Sequence, residues 1–217
     1  MKTSNKNGQE LGRKGRETRR RLMDATLQLL SEGTPDKLTA ARIAAIAEVR
    51  PASFYVYFDN VQELLYDLSE EASREFMTAF EASDLFLDLA SIEDDAARFI
   101  EMWNTFWARH KSILHFRDMQ TSYGEVRYST LSTESGIPVM DRLFRLVRKA
   151  YENKGGISNI DAYAEAVVLY TAIDRLAASI HRPNMSGIAP ERLKAAQARI
   201  IGRTLNIVAV RDAALAD

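Results

Sequence analysis

Apolar residues recur along this sequence at intervals of three and four, and nowhere do they alternate with polar ones over the length of a strand. A spacing of three and four lines up side chains on one face of an α-helix, whereas burying one face of a sheet needs a period of two. The chain is therefore expected to be all-α. Leu22, Met23, Thr26, Leu27 and Leu30 mark a first helix over 16–31, stopped by Gly33 and Pro35. Thr39 suits the N-cap of a short second helix whose inner face is Ile43, Ile46 and Ala47. Pro51 suits the first position of a third helix over 51–57, because the N–H it lacks would have no partner there. With Asp59 or Asn60 as its cap, a long fourth helix runs from 61 into the low 80s through Leu64, Leu65, Leu68, Ala72, Phe76 and Phe80. Further helices are expected over 91–109, opened by a capping box of Ser91 and Asp94, over 112–121, over 138–153, over 160–181 and over 190–210. Gly124, Gly155 with Gly156, and a loop of Pro183, Asn184 and Gly187 punctuate them.

With 46% hydrophobic and 27% charged residues among 217, the chain has the make-up of a globular protein long enough for a small module and a larger domain. No apolar run approaches the roughly 18 residues of a membrane helix, and no apolar stretch follows the basic N-terminal residues as it would in a secretory signal. No membrane partner is expected, and a cytoplasmic location is. The absence of Cys removes disulfides, thiolate zinc sites and cysteine nucleophiles, and three His leave little for a metal, so neither metal nor other cofactor is expected. The net charge of −1 conceals an asymmetry: residues 1–60 hold 11 Lys and Arg against 7 acids, the rest 18 against 23. A basic module on an acidic body points to a polyanionic partner at one end, a solvated tail being the alternative. Residues 1–15, rich in Lys, Asn and Gly, read as a disordered basic arm, 16–60 as the module and 61–217 as the larger helical domain.

Three short helices joined by tight turns behind a basic arm have the layout of a helix-turn-helix, although three helices also cluster merely to bury their apolar faces. The segment 43–64, IAAIAEVRPASFYVYFDNVQEL, is far more specific. It resembles the DNA-binding signature of the TetR family of transcriptional regulators, in which an Ile-Ala pair on the second helix leads to a recognition helix ending in Tyr, one residue, Tyr or His, then Phe. Ile43, Ala44, Val49, Phe54, Tyr55, Tyr57, Phe58 and Leu64 occupy those positions here. The motif covers about a quarter of the chain, and the remainder resembles the family only in helix count and length. Two departures stand out. Glu48 takes the turn position where the family usually has Gly, so the turn is made without glycine's freedom at positive φ. Val61 takes the place of a Lys that in the family opens the fourth helix and contacts phosphate.

On a helix of 3.6 residues per turn Phe54 and Phe58 share one face and would pack on Ile43 and Ile46. Arg50, Ala52, Ser53 and Val56 lie on the other face, where Arg pairs with guanine and Ala or Val meets a thymine methyl in the major groove. Pro51 starts the helix. The resemblance implies that Tyr55 and Tyr57 hold phosphates through their hydroxyls, half-buried packing being the alternative, and that Thr39 and Arg42 meet the backbone as well. Arg13, Lys14, Arg16, Arg19, Arg20 and Arg21 are expected to supply phosphate contacts collectively.

Seven of the 19 aromatic residues, Phe99, Trp103, Phe106, Trp107, Phe116, Tyr123 and Tyr128, fall within 99–128. In the family the corresponding helices form a ligand cavity. Phe99, Met102, Trp103, Phe106, Trp107, Phe116, Met119 and Tyr123 are therefore the expected ligand-binding residues, with plain core packing the competing reading for each. His110, His115 and Arg117 are candidates to orient a polar end of the ligand, or ordinary boundary residues. The final two helices carry wide apolar stripes, and Val167, Val168, Thr171, Leu193 and Ile200 are expected in a two-fold four-helix homodimer interface, as the family also implies, or else in intramolecular packing. No HExxH, Glu-x-x-His, paired acidic helix motif, phosphate-cradling Gly loop or Cys nucleophile is present, which leaves an all-helical enzyme the weaker reading. The expected function is a ligand-responsive repressor that binds a palindromic double-stranded DNA operator as a homodimer and is released by a small apolar or aromatic ligand. An activator of the same fold is the alternative.

Overall fold

Leu22, Met23, Ala25, Leu29 and Leu30 are buried on one side of α1 (Arg13–Glu32), as the three- and four-residue spacing dictates. Helices α2 (Ala40–Ile46) and α3 (Pro51–Tyr57) follow, then α4 (Val61–Glu81), α5 (Ile92–Ser122), α6 (Val126–Ala150), α7 (Asn159–Ile180) and α8 (Pro190–Val210). This computed structural model describes residues 6, 8–33, 38–152, 155–180 and 187–210, and among them the architecture is all-α. The stop signal at Pro35 and the loop residues Pro183 and Asn184 lie outside the described residues, as do 1–5 and 7 of the arm. No described helix is long and apolar enough to cross a membrane.

Side-chain caps open α2, α4 and α7. Thr39 Oγ1 accepts the Arg42 N–H at 3.2 Å, Asn60 Oδ1 the Glu63 N–H at 3.0 Å, and Ser158 Oγ the Asp161 N–H at 3.1 Å. Ahead of α5 the side-chain partner of Ser91 is Asp95 rather than Asp94. The buried Asp95 carboxylate accepts from Ser91 Oγ and from the Phe86 N–H, which ties the 82–91 connection to the helix it precedes.

Two expected boundaries are corrected. The segments 91–109 and 112–121 are one helix of 31 residues, because 109–112 contains neither Gly nor Pro and its polar side chains merely mark the outer face. Helix α6 begins at Val126, and Pro138 lies inside it rather than at its start. Ser, Thr and Gly crowd 129–136, which weakens the helical pattern. Burial of Tyr128, Ser135 and Gly136 supplies the packing that overrides that low propensity and the missing Pro138 N–H.

The chain forms two compact units, one of 1–75 with 110–132 and one of 76–109 with 133–217. The start of α4, the end of α5 and the start of α6 thus group with the helix-turn-helix, where a single domain over 61–217 was expected. Part of the basic arm joins this unit: Leu11 is buried, Arg16 donates to its carbonyl, and Lys6 pairs with Asp59 at 2.9 Å. Also in the first unit, Arg127 grips both carboxylate oxygens of Glu63 at 2.7 and 3.2 Å while its guanidinium lies 3.7 Å from the centre of the Tyr66 ring. In the second unit Arg142 donates to the carbonyls of Glu81, Ser83 and Leu85 and stacks over Phe80, satisfying the last carbonyl of α4 and two of the connection that follows it.

Candidate nucleic-acid interface and ligand site

The turn that sets α3 against α2 is a Schellman closure. The Glu48 N–H bonds to the Ala45 carbonyl and the Val49 N–H to the Ala44 carbonyl, with Glu48 itself left-handed at φ 54°. This is the position at which the sequence lacks the expected glycine, and the strain of a side chain there is accepted to keep the turn. Phe54 and Phe58, both buried, pack at 5.6 Å between ring centres, with Ile43, Ala44 and Ala47 buried in the same core. Arg19 sits beneath them. Its guanidinium lies 5.1 Å from the Phe58 ring, pairs with Asp67 and contacts the Met23 sulfur, and the residue is 2% exposed.

That burial corrects the expectation for Arg19: it ties α1 to α4 from inside and is not available to a phosphate. Arg20 remains half exposed but is engaged by Asp24 and Glu71. Arg13, Lys14 and Arg21 are exposed, with no ion pair among the described residues. The outer surface of the module otherwise collects the expected set. Thr39, Arg42, Arg50, Pro51, Ala52, Tyr55 and Val56 are exposed, while Ser53 and Tyr57 are half-buried. Neither Arg42 nor Arg50 has an ion-pair partner among the described residues. Arg50 stands at the N-cap of α3 with its side chain uncommitted to capping, and Tyr55 packs edge-on against Phe54 at 5.4 Å with half its surface open. Two guanidinium groups without an ion pair among the described residues, two phenols and a short apolar strip thus lie on the outer side of α2 and α3, a composition suited to a polyanion with readable base edges.

The eight residues expected to bind ligand are not one group. In the second unit Phe99, Trp103 and Trp107 are buried and Met102 and Phe106 half-buried. Trp103 is the hub. It meets Phe76 at 4.1 Å, Phe106 at 5.5 Å, and Phe99 and Tyr170 at 6.1 Å each. Its indole N–H is buried with no acceptor among the described residues. In the first unit Phe116 is buried edge-on against Tyr128, and Met119 is half-buried. Both line a groove of about 520 Å³ with Leu30, Ser31, Lys111 and His115. Tyr123, 75% exposed just past the end of α5, faces solvent. Sequence reasoning missed Phe86 as a ring partner of Phe99 and Tyr170 as one of Trp103; each pair joins different segments of the chain, and no local pattern announces such a contact.

On α7 and α8, Ala166, Ile173 and Ala177 face inward, as do Ala198, Ile201 and Leu205, and Gln197 donates to the Ala172 carbonyl at 2.8 Å. Val168 and Ile200 are more than half exposed, Thr171 is exposed, and Val167 and Leu193 are half-buried. Ile160 and Tyr163, also exposed, extend the α7 stripe by two turns.

Residues 22–68 match the model of the bacterial regulatory proteins of the tetR family. No curated protein matches the sequence. Among solved structures, the chain is similar to a putative TetR-family transcriptional regulator from Syntrophomonas wolfei, at 13% identity over 88% of this chain and 96% of that one, with a TM-score of 0.63. The fatty acid degradation regulator FadR from Bacillus halodurans gives 15% identity over 91% and 96%, with a TM-score of 0.59. A transcriptional regulator from Aquifex aeolicus gives 15% identity over 88% and 99%, also with a TM-score of 0.59. The fold is that of TetR-type regulators, with an N-terminal helix-turn-helix ahead of a helical C-terminal part.

Proposed function

We propose, from a helix-turn-helix of the tetR family carried on a TetR-type fold, that this protein is a transcriptional repressor that binds a palindromic DNA operator as a homodimer and is released by a small apolar or aromatic ligand. The observation that carries the DNA-binding reading is the outer side of α3 and the start of α2, where Arg42 and Arg50, exposed and without an ion pair among the described residues, accompany the exposed Tyr55 and Val56. Arg50, Ala52, Ser53 and Val56 read base edges. Thr39, Arg42, Tyr55 and Tyr57 hold phosphates, and Pro51 fixes where the helix begins. The dimer is supported by the α7 and α8 stripe. Large aliphatic side chains exposed at helical spacing, such as Val168 and Ile200, mark a surface that a second copy would cover. For the ligand, an aromatic cluster around an indole N–H that lacks an acceptor favours a planar or aliphatic molecule carrying one hydrogen-bond acceptor near Trp103. A TetR-type regulator with this surface works in the cytoplasm, where its DNA is.

Selection from a random duplex library tests the reading. Enrichment of a two-fold symmetric site, bound two chains to a duplex, is the expected outcome. Recovery of no preferred sequence would overturn it.

A further inference from the structure

Arg117 is 3% exposed, on the face of α5 within the first unit that turns toward α4. Its one hydrogen bond among the described residues is a long one, 3.3 Å from Nη1 to the neutral hydroxyl of Ser73, itself buried. Nε is buried without an acceptor, and no carboxylate among the described residues lies within 4.0 Å of the guanidinium. Glu70, one turn before Ser73, buries its carboxylate Oε2 and has an interaction of its own. One turn beyond Arg117 on the same helix face, Thr121 buries a hydroxyl that also has no partner among the described residues. The contrast with Arg19 is internal to this unit, since that equally buried guanidinium is matched by the Asp67 carboxylate. A guanidinium cannot shed its proton in a protein, so Arg117 is a buried positive charge held by one neutral contact, and buried charges are ordinarily paired.

We propose that Arg117 is the centre of a buried anion site that takes the carboxylate of a small organic acid, with Ser73 and Thr121 as auxiliary hydroxyls. The guanidinium has a planar fork of donors that matches a carboxylate, and Nε with one Nη is the pair left available. Phe116, next to it in the sequence and buried against Tyr128, and the buried Ile113 and Leu114 one turn before it supply apolar surface, with the Tyr128 hydroxyl a buried polar group among them. The acid therefore carries an aliphatic or aromatic body rather than further charge. This goes beyond the regulatory reading, because the site can exist whether or not its occupant controls DNA binding.

Octanoate, phenylacetate, and the alcohol of each skeleton serve as probes, with wild type, Arg117→Met, Arg117→Lys and Ser73→Ala compared by thermal shift and titration calorimetry. Either carboxylate is expected to raise the melting temperature of wild type while its alcohol does not. Arg117→Met is expected to weaken the carboxylate by about thirtyfold or more, with Arg117→Lys between the two. Ligand-free Arg117→Met is expected to melt at or above wild type, because an uncompensated charge has been replaced by a side chain of similar length. If no carboxylate stabilises wild type more than it stabilises Arg117→Met, or if the alcohols bind as well as the acids, the proposal is overturned. Operator affinity measured with and without the acid reads the regulatory account separately. An acid that binds through Arg117 and leaves DNA binding unchanged upholds this site while removing the acid as an inducer.

Discussion

Two arginines one position apart show how little a single residue's type decides. Arg19 and Arg20 both belong to a basic run, and both read from the sequence as phosphate contacts. The helical step of about 100° turns one toward Phe58 and Asp67 and the other toward the surface. The sequence carried a hint, since Arg19, Met23 and Thr26 share the face of Leu22, but a charged residue on an apolar face finds its partner only once α4 is in place. Arg19→Met is expected to destabilise the fold by about 3–5 kcal/mol, because the largely buried Asp67 carboxylate loses its guanidinium. Arg42→Ala should leave stability within about 0.5 kcal/mol and weaken DNA binding instead. Chemical denaturation alongside DNA titration separates the two. Glu48 gives the opposite sign. At φ 54° a glycine has no strain to bear, so Glu48→Gly is expected to raise stability by up to about 1 kcal/mol in the same denaturation assay. It also removes a negative charge near the proposed DNA face.

At the scale of elements, α1 to α4, α7 and α8 were legible because each carries both a period and a cap or breaker within its own residues. Helices α5 and α6 were not. A polar patch on α5 resembled a break, and Pro138 resembled a start, because the interactions that keep α6 helical through 126–137 come from other segments. The closest of these is Gly136, where an added Cβ would stand 2.6 Å from Cε1 of the Tyr170 ring. Gly136→Ala is expected to cost about 1–2 kcal/mol, the crowding outweighing the roughly 1 kcal/mol that alanine contributes to a helix. In a Tyr170→Leu background the same substitution should become neutral or stabilising, and a double-mutant cycle from denaturation midpoints gives the coupling. Equal effects in both backgrounds would mean that Tyr170 is not what excludes a side chain at 136. The ligand residues were legible only in part for a related reason. Phe99, Trp103 and Phe106 stand at helical spacing and do share one cluster, whereas Phe116 and Met119 line a groove in the other unit and Tyr123 faces solvent.

For the whole molecule, the proposed assembly follows from what α7 and α8 leave open. Val168→Asp or Ile200→Asp places a charge on an exposed position, where folding of one chain is barely affected, yet buries that charge in the proposed two-fold interface. Sedimentation at micromolar concentration should show wild type as dimers and both variants as monomers of unchanged helicity. Wild type sedimenting as a monomer would contradict the interface.

The central claim is that α3 divides its labour between reading bases and holding phosphates, and affinity for the selected operator and for random duplex across a salt series tests it most directly. Arg50→Ala is expected to lose about 1–3 kcal/mol of discrimination at one base pair per half-site. Tyr55→Phe should weaken both DNAs about equally while leaving the salt slope nearly unchanged, since no charge is removed. Arg50→Ala weakening both DNAs equally, with Tyr55→Phe altering base preference, would contradict the account by reversing the assigned roles and turning the recognition helix the other way in the groove.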